Sequence, residues 1–145
     1  MILGYTTGVF DLFHVGHLNL LKNAKAMCDK LMVGVTTDEL LKEYKKKSSI
    51  ISFGERCEIL RNISCVDAVV SQDNMDKFEA WKKLKFDIMF VGDDWYNTDK
   101  WQQIESGFEK VGVRTIYFPY TQGTSSTLIN QILVEQRDKH FGNTL

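Results

Sequence analysis

Short apolar runs alternate with longer segments of helical periodicity along the whole chain. The apolar runs are rich in β-branched and aromatic residues and predict five strands, at residues 2–7, 31–36, 68–71, 88–91 and 114–118. Between these runs, apolar residues recur at helical spacing and predict helices that include residues 18–27, 52–63, 75–84, 100–110 and 126–136. This alternation is typical of a mostly parallel sheet with helices on both faces.

The order and punctuation of these elements predict a Rossmann-like, doubly wound α/β domain. We expect a five-stranded parallel sheet in the order 3-2-1-4-5, with a ligand site where the order reverses, at the carboxyl ends of strands one and four. Residues 52–55 form a capping-box pattern, Gly112 is a predicted helix C-cap, and Pro119 ends the last strand. We expect a single domain over residues 1–137 and a frayed tail over residues 138–145.

The composition excludes several classes of function. The 18 Lys+Arg against 19 Asp+Glu give a formal charge of -1, so no global field favours nucleic acid or an anionic membrane. No stretch approaches the about 20 apolar residues that span a bilayer, and no signal-peptide pattern is present, so we expect a cytoplasmic protein without a membrane partner. Cys28, Cys57 and Cys65 form no C-x-x-C pair and are expected to be reduced packing thiols.

The first predicted strand runs into the segment with the clearest chemistry. Residues 8–17, Gly-Val-Phe-Asp-Leu-Phe-His-Val-Gly-His, place His14 and His17 at the start of an apolar helix. Unpaired amides and the helix dipole attract an anion there, neutral imidazole N–H groups donate to its oxygens, and Gly8 and Gly16 allow the close approach. We therefore predict a phosphate site. A packed core pair and a zinc pair are the alternatives, and zinc is disfavoured because no third ligand has a usual spacing.

Residues 8–17 also resemble the G-x-F-D-x-x-H-x-G-H signature of the nucleotidyltransferase superfamily that includes the cytidylyltransferases. Further segments are similar to the glycerol-3-phosphate cytidylyltransferase branch, at residues 36–40, 55–56, 66–67 and 92–95. Residues 119–127 are similar to the family's R-T-x-G-I-S-T-T segment, in which hydroxyls and amides at a helix start hold the nucleotide's phosphates. The resemblance covers about residues 1–133 and implies a homodimeric enzyme.

The resemblance implies transfer of CMP from CTP to a small phosphorylated alcohol, with release of pyrophosphate. An acceptor phosphate oxygen attacks the α-phosphorus in line, so no covalent nucleophile is needed. His14 and His17 would stabilise the transition state. Lys45 or Lys46, in a segment predicted to be a mobile loop over residues 42–49, would close over the same charge. A solvated lysine run is the alternative, and the product would be a CDP-alcohol precursor of wall or capsule polymer.

The other contacts implied by the resemblance divide between nucleotide and acceptor. The predicted nucleotide contacts are Thr7, Gly8, Val9, Phe10, Gly16, Asp94, Gly123, Thr124, Ser125, Ser126 and Thr127. The predicted acceptor contacts are Asp11, Asp38, Arg56 and Trp95. Mg²⁺ is the expected cofactor, held mostly by the substrate's phosphates, with Asp11 as the nearest carboxylate.

Several of these assignments have a structural alternative. The hydroxyls of residues 125–127 could serve only as helix N-caps, and Asp11 could only order the turn that carries it. Trp95 could pack at a dimer interface or against a neighbouring helix, and Arg56 could form a surface salt bridge.

Three positions depart from the family pattern. Val9 stands where the cytidylyltransferases usually carry Thr, residues 64–65 (Ser-Cys) where they carry Arg-Tyr, and Tyr120 where they carry Arg. Two guanidiniums that could clamp an anion are thus missing. Either the acceptor differs, or Arg56, Arg61 or the lysine run fills the role.

Glycerol 3-phosphate is the favoured acceptor, followed by phosphoethanolamine, phosphocholine and other polyol or amino-alcohol phosphates. Two further hypotheses are the same chemistry on ATP, as in related adenylyltransferases, and a nucleotide-binding domain without turnover, which the three departures motivate. Residues 92–95 favour CTP by resemblance, and the intact His14, His17 and lysine run favour an enzyme.

Overall fold

The computed structural model describes residues 1–119 and 126–141 of the chain. The predicted nucleotide contacts Gly123, Thr124 and Ser125, together with Tyr120, lie outside these described residues. Within the described part, no helix is long and apolar enough to cross a membrane.

A parallel sheet with helices around it forms the described part of the chain. The strands are β1 (Leu3–Gly8), β2 (Lys30–Thr36), β3 (Ala68–Gln72), β4 (Ile88–Gly92) and β5 (Arg114–Phe118). The helices are α1 (Val15–Lys25), α2 (Asp38–Lys45), α3 (Phe53–Arg61), α4 (Lys77–Leu84), α5 (Asp99–Lys110) and α6 (Ser126–Phe141), and a 3-10 turn follows β4 at Asp93–Trp95. The strands pair in parallel in the order β3-β2-β1-β4-β5, which confirms the predicted fold class and order.

Each face of the sheet carries its own apolar layer because side chains alternate along every strand. Phe90 of β4 belongs to one layer, with Leu21 of α1 and Leu60 of α3. Met89, its neighbour in β4, belongs to the opposite layer, with Phe108 of α5. The helices therefore cover both faces, as the alternation of elements predicts.

The cysteines contribute to this packing. All three thiols are free. Cys57 is buried in the layer beneath α3, and Cys28 and Cys65 are half-buried against the same layer. Burial raises the pKa of each thiol, which suits packing residues.

The segment after β2 differs from the prediction. Residues 42–45, expected at the start of a mobile loop, form the last turn of α2, so that expectation is wrong for these residues. The helix forms because the Thr37 side chain caps it by accepting from the N–H of Leu40, which is itself buried. Lys42 and Lys45 then fall in the last turn, where positive charge complements the helix dipole.

The start of α4 also differs from the prediction. The helix begins at Lys77, not at residue 75, because the Asp76 carboxylate caps it by accepting from the N–H groups of Phe78 and Glu79. A lysine thus occupies the first helical position, where its charge opposes the helix dipole. This unfavourable position indicates another role for Lys77.

α1 ends at Lys25 and α3 ends at Arg61, earlier than the predicted residues 27 and 63, whereas two predicted caps are present. Ser52 caps α3, and Gly112 follows α5 with a φ of 81°. α6 passes the predicted end at Gln136 and continues to Phe141. The frayed tail and the domain boundary at residue 137 stay predictions.

Candidate active site

His14 and His17 form a reciprocal cap at the start of α1. Nδ1 of His14 accepts a hydrogen bond from the Gly16 N–H at 3.0 Å, and Nδ1 of His17 accepts from the His14 N–H at 3.2 Å. The two rings stack with their centroids 3.9 Å apart. Because Nδ1 is an acceptor in both rings, each neutral imidazole carries its proton on Nε2.

Burial keeps this pair neutral. Burial lowers the pKa of His14. Burial and the neighbouring His14 lower the pKa of His17 to about 4, and the charge of Asp11 opposes this shift. At neutral pH the pair offers two Nε2–H donors without a positive charge. α1 has no acidic residue in its first turn, so its N-terminal dipole adds to these donors. This combination suits the phosphate oxygens that the sequence predicts here.

The turn between β1 and α1 has an unusual backbone conformation. Phe10 and Leu12 have φ values of 55° and 50°, in the left-handed region that is costly for residues other than glycine. Phe10 is buried, and its ring meets that of His17 edge-on with 5.3 Å between the centroids. The packing of Phe10 therefore helps to hold the turn and the histidine in place.

The histidines line a cleft of about 490 Å³ at the carboxyl ends of the strands. The cleft brings together most of the predicted site residues, namely Thr7, Gly8, Val9, Phe10, Asp11, His14, Gly16, His17, Lys45, Asp94, Trp95, Ser126 and Thr127. It includes the ends of β1 and β4, the switch point where this fold class binds ligands. Of the described candidates, Lys46, Asp38 and Arg56 do not line it.

Adjacent lysines at the end of α2 differ in whether they line the cleft. Lys45 and Lys47 line the cleft, whereas Lys46 is the C-cap of α2 with a φ of 53°. Burial and the charge of Lys47 lower the pKa of Lys45, and the carboxylate of Asp94 opposes this shift. Of the two lysines predicted to act as clamps, Lys45 is the one placed in the cleft.

The 3-10 turn after β4 presents an aromatic side chain to the cleft. Trp95 is 43% exposed, and both it and Asp94 line the cleft. An indole this exposed is not a core packing residue. It provides a flat surface on which a base or an acceptor can stack.

Arg56 is placed differently from its prediction. Its side chain is 0% exposed, and its guanidinium donates to Asp38 at 2.7 Å and to three backbone carbonyls at 2.8 to 3.0 Å. These carbonyls belong to Val9, Thr36 and Ile51. The alternative of a salt bridge is confirmed by the pair with Asp38, but its expected surface location is wrong because the guanidinium is buried. With these donors engaged, Arg56 connects the ends of two strands to α3. Its guanidinium is not directed at an acceptor substrate in the cleft.

Asp38, another predicted acceptor contact, anchors the chain after the lysines. Besides the bond from Arg56, its carboxylate accepts from the Ser49 hydroxyl at 3.2 Å and from the Phe53 N–H at 3.1 Å. Burial alone would raise the pKa of Asp38, but these hydrogen bonds hold it below its usual value. In this structure Asp38 holds the start of α3 against the start of α2.

Asp11 combines a bracing contact with a position in the cleft. Its two oxygens accept from the N–H groups of Ile50 and Ile51 at 2.8 and 2.9 Å, so it braces the segment before α3 and not only the turn that carries it. The described residues contain no group of three or more His, Cys, Asp or Glu that could hold a metal ion. Mg²⁺ needs few protein ligands when phosphates coordinate it, so these residues fit an ion held mostly by the substrate.

The start of α6 adjoins the histidine turn. The Ser126 hydroxyl donates to the carbonyl oxygen of Asp11, and Thr127 lines the cleft beside it. The two segments from which the sequence predicts phosphate contacts are therefore neighbours in space.

The sequence analysis missed a buried cation in the cleft, Lys77. It is 5% exposed, and its Nζ donates to Oγ1 of Thr7 at 3.1 Å and to Oε1 of Gln72 at 2.5 Å. No ion pair among the described residues includes it. Burial and the charge of Lys100 lower the pKa of Lys77 to about 8. A buried ammonium without a carboxylate partner is costly, and an anionic ligand would relieve that cost.

Comparison with known proteins agrees with this fold. Residues 5–132 match the family model of cytidylyltransferase-like proteins. A glycerol-3-phosphate cytidylyltransferase of Bacillus spizizenii is 38% identical over 127 residues, 87% of this chain and 92% of that protein. A FAD synthase of Thermococcus sibiricus is 43% identical over 90 residues, 61% of each chain. A solved lipopolysaccharide core biosynthesis protein from Thermoplasma volcanium GSS1 is 27% identical with a TM-score of 0.70, over 86% of this chain and 99% of that one.

The fold and these relatives define an enzyme of the nucleotidyltransferase class. Within that class, the chain belongs to the cytidylyltransferase-like family. The resemblance first drawn from residues 8–17 is thereby confirmed.

Proposed function

We propose that the enzyme transfers CMP from CTP to glycerol 3-phosphate, or to a closely related phosphorylated alcohol, and releases pyrophosphate. An acceptor phosphate oxygen forms the new bond to the α-phosphorus while the bond from that phosphorus to the pyrophosphate oxygen breaks. The observation that supports this best is the cleft itself, which combines two neutral imidazole donors with the lysines Lys45 and Lys77. The product would be a CDP-alcohol precursor of a wall or capsule polymer.

The nucleotide half of the reaction is assigned to the histidines and Lys45. The Nε2–H groups of His14 and His17 would donate to phosphate oxygens as charge builds on them. Lys45 would neutralise the pyrophosphate as it leaves. Mg²⁺, when bound to the phosphates, would supply further charge neutralisation, with Asp11 as one protein carboxylate in the cleft.

The acceptor half is assigned to Lys77. The family arginines missing at Ser64 and Tyr120 need a replacement if the acceptor carries a phosphate. Arg56 is enclosed by its own hydrogen bonds, and Arg61 is exposed beside Glu58 on α3. Lys77 is the buried cation in the cleft without a carboxylate partner among the described residues, which favours it for this role.

A second candidate function is transfer of AMP from ATP to a phosphorylated acceptor. The observation that favours it is the identity of 43% to a FAD synthase over 90 residues. The exposed Trp95 can stack on either base, so it does not separate the two.

The experiment is a pyrophosphate-release assay with Mg²⁺ and CTP across a panel of phosphorylated alcohols, with ATP in parallel. We expect release that requires both CTP and an acceptor and is fastest with glycerol 3-phosphate. Release that requires an acceptor and occurs with ATP but not with CTP would establish the second candidate. Binding of CTP without release in any pair would overturn the enzymatic proposal and leave a nucleotide-binding domain.

A further inference from the structure

Gln72 ends β3 in the cleft and is held at both ends of its amide. Its side chain is buried, with the residue 7% exposed. Oε1 accepts from Nζ of Lys77, and Nε2 donates to Oγ1 of Thr36 at 3.0 Å. The carbonyl oxygen of Thr36 in turn accepts from Arg56, so this side of the network is fixed. The amide cannot turn without losing a hydrogen bond, and it therefore fixes the direction of the Lys77 side chain.

The lysine held in this way keeps donor capacity and charge. An ammonium has three N–H donors, and here two go to Gln72 and Thr7. No further acceptor for Lys77 is found among residues 1–119 and 126–141. Both partners are neutral, and Lys100 at the same cleft adds positive potential. A carboxylate at position 72 would make the same bond to Lys77 but would neutralise it.

We propose that Gln72 is a positioning residue that strengthens binding of the acceptor's phosphate at Lys77. It directs Lys77 toward the acceptor's phosphate and, because it is neutral, leaves the charge of the ammonium to that phosphate. The inference rests on the proposed function, since it requires that an acceptor phosphate binds at Lys77. It adds that the neutrality of Gln72 sets the strength of this binding.

The variant Gln72→Glu tests the charge with little change of shape. The new carboxylate can accept from Lys77, and the Thr36 hydroxyl can rotate to donate to it, so both contacts can persist. We expect the KM for glycerol 3-phosphate to rise at least about tenfold, while kcat and the KM for CTP change by less than about twofold.

Two further variants separate charge, position and fold. Gln103→Glu makes the same change of net charge on the exposed surface of α5 and is the matched control, with wild-type constants expected. Gln72→Met keeps neutrality but removes both hydrogen bonds, and it should raise the acceptor KM by about three- to tenfold. Thermal unfolding of each variant shows whether it is folded. If Gln72→Glu does not fold, the acceptor KM of Gln72→Met is the deciding measurement.

The outcomes are distinct. An acceptor KM within about twofold of wild type in folded Gln72→Glu or Gln72→Met, or a parallel rise in the KM for CTP, would overturn the inference and leave the proposed function intact. If the wild-type enzyme uses no phosphorylated acceptor, the proposed function fails first and the inference fails with it. An acceptor KM that rises alone supports both.

Discussion

The two histidines are neutral donors because of the hydrogen bonds that their Nδ1 atoms accept. Each Nδ1 accepts a backbone N–H, which leaves the proton on Nε2. The same contacts cap α1, so one pair of side chains both starts the helix and forms the proposed anion site. The positive charge in the cleft comes from lysines on other elements.

We predict that His17→Ala folds and loses at least about 100-fold in the rate of pyrophosphate release, because a positioned donor to the transition state is removed. The measurement is kcat at saturating CTP and acceptor, with circular dichroism as the test of folding. Asn23→Ala, at an exposed position of the same helix, is the control and should keep wild-type activity. Near-normal turnover in folded His17→Ala would contradict the assigned role.

The lowered pKa of His17 predicts a loss of stability in mild acid. Between its usual value of 6.5 and about 4, the unfolded chain binds a proton at this site and the folded chain does not. The free energy of unfolding therefore falls as the pH drops through that window. We expect a lower Tm at about pH 5 than at about pH 7, and a smaller difference in His17→Gln. An equal difference in both proteins would show that the acid sensitivity comes from other groups.

At the level of elements, the sheet and most helices were predictable because their apolar periodicity is local. α2 was missed because its polar, lysine-rich end resembles a loop, although Thr37 and Leu40 carried a helix signal. The contacts of Arg56 and Lys77 were not predictable, since they join positions 47 and 70 residues apart in sequence. Only Lys77 left a trace in the sequence, as a lysine at the first position of a helix.

The end of α2 predicts opposite outcomes for adjacent lysines. Lys45→Met should lower kcat at least about tenfold, because a cleft cation is removed. Lys46→Gly should keep activity and gain up to about 1 kcal/mol of stability, since glycine adopts the left-handed conformation at no cost. Steady-state kinetics and urea unfolding measure both effects. The reverse pattern would assign the clamp to Lys46.

The buried hydrogen bonds of Arg56 predict a large structural effect. Arg56→Met removes one donor from Asp38 and from each of three carbonyls, and it should cost about 3–5 kcal/mol in the free energy of unfolding. Arg61→Met, on the same helix but exposed, should change it by less than about 0.5 kcal/mol. Urea unfolding of the two variants is the comparison. Equal stabilities would contradict the bracing role.

At the level of the whole molecule, the cleft collects side chains from distant parts of the chain because the parallel strands end at one edge of the sheet. The first motif, the lysines of α2 and the start of α6 meet there, as the fold class implies. The sequence predicted this meeting from topology. It did not predict which side chains turn inward, because that depends on contacts such as the hydrogen bonds of Asp38 and on the left-handed conformation of Lys46.

The resemblance to the family predicts a homodimer. Light scattering after size exclusion should therefore give about twice the chain mass of 16.7 kDa. The measurement is repeated over a dilution series with and without CTP. A monomer mass throughout would contradict the prediction.

The left-handed residues Phe10 and Leu12 have a consequence for the thermodynamics of binding. Their strained turn is already formed in the folded chain, so nucleotide binding need not order the histidines, and little conformational entropy is lost there. Replacing either residue with glycine would relieve strain but also loosen this preorganised half of the cleft. Part of the proposed affinity for phosphate is therefore set during folding, and replacements that relieve the strain by loosening the turn are expected to weaken binding.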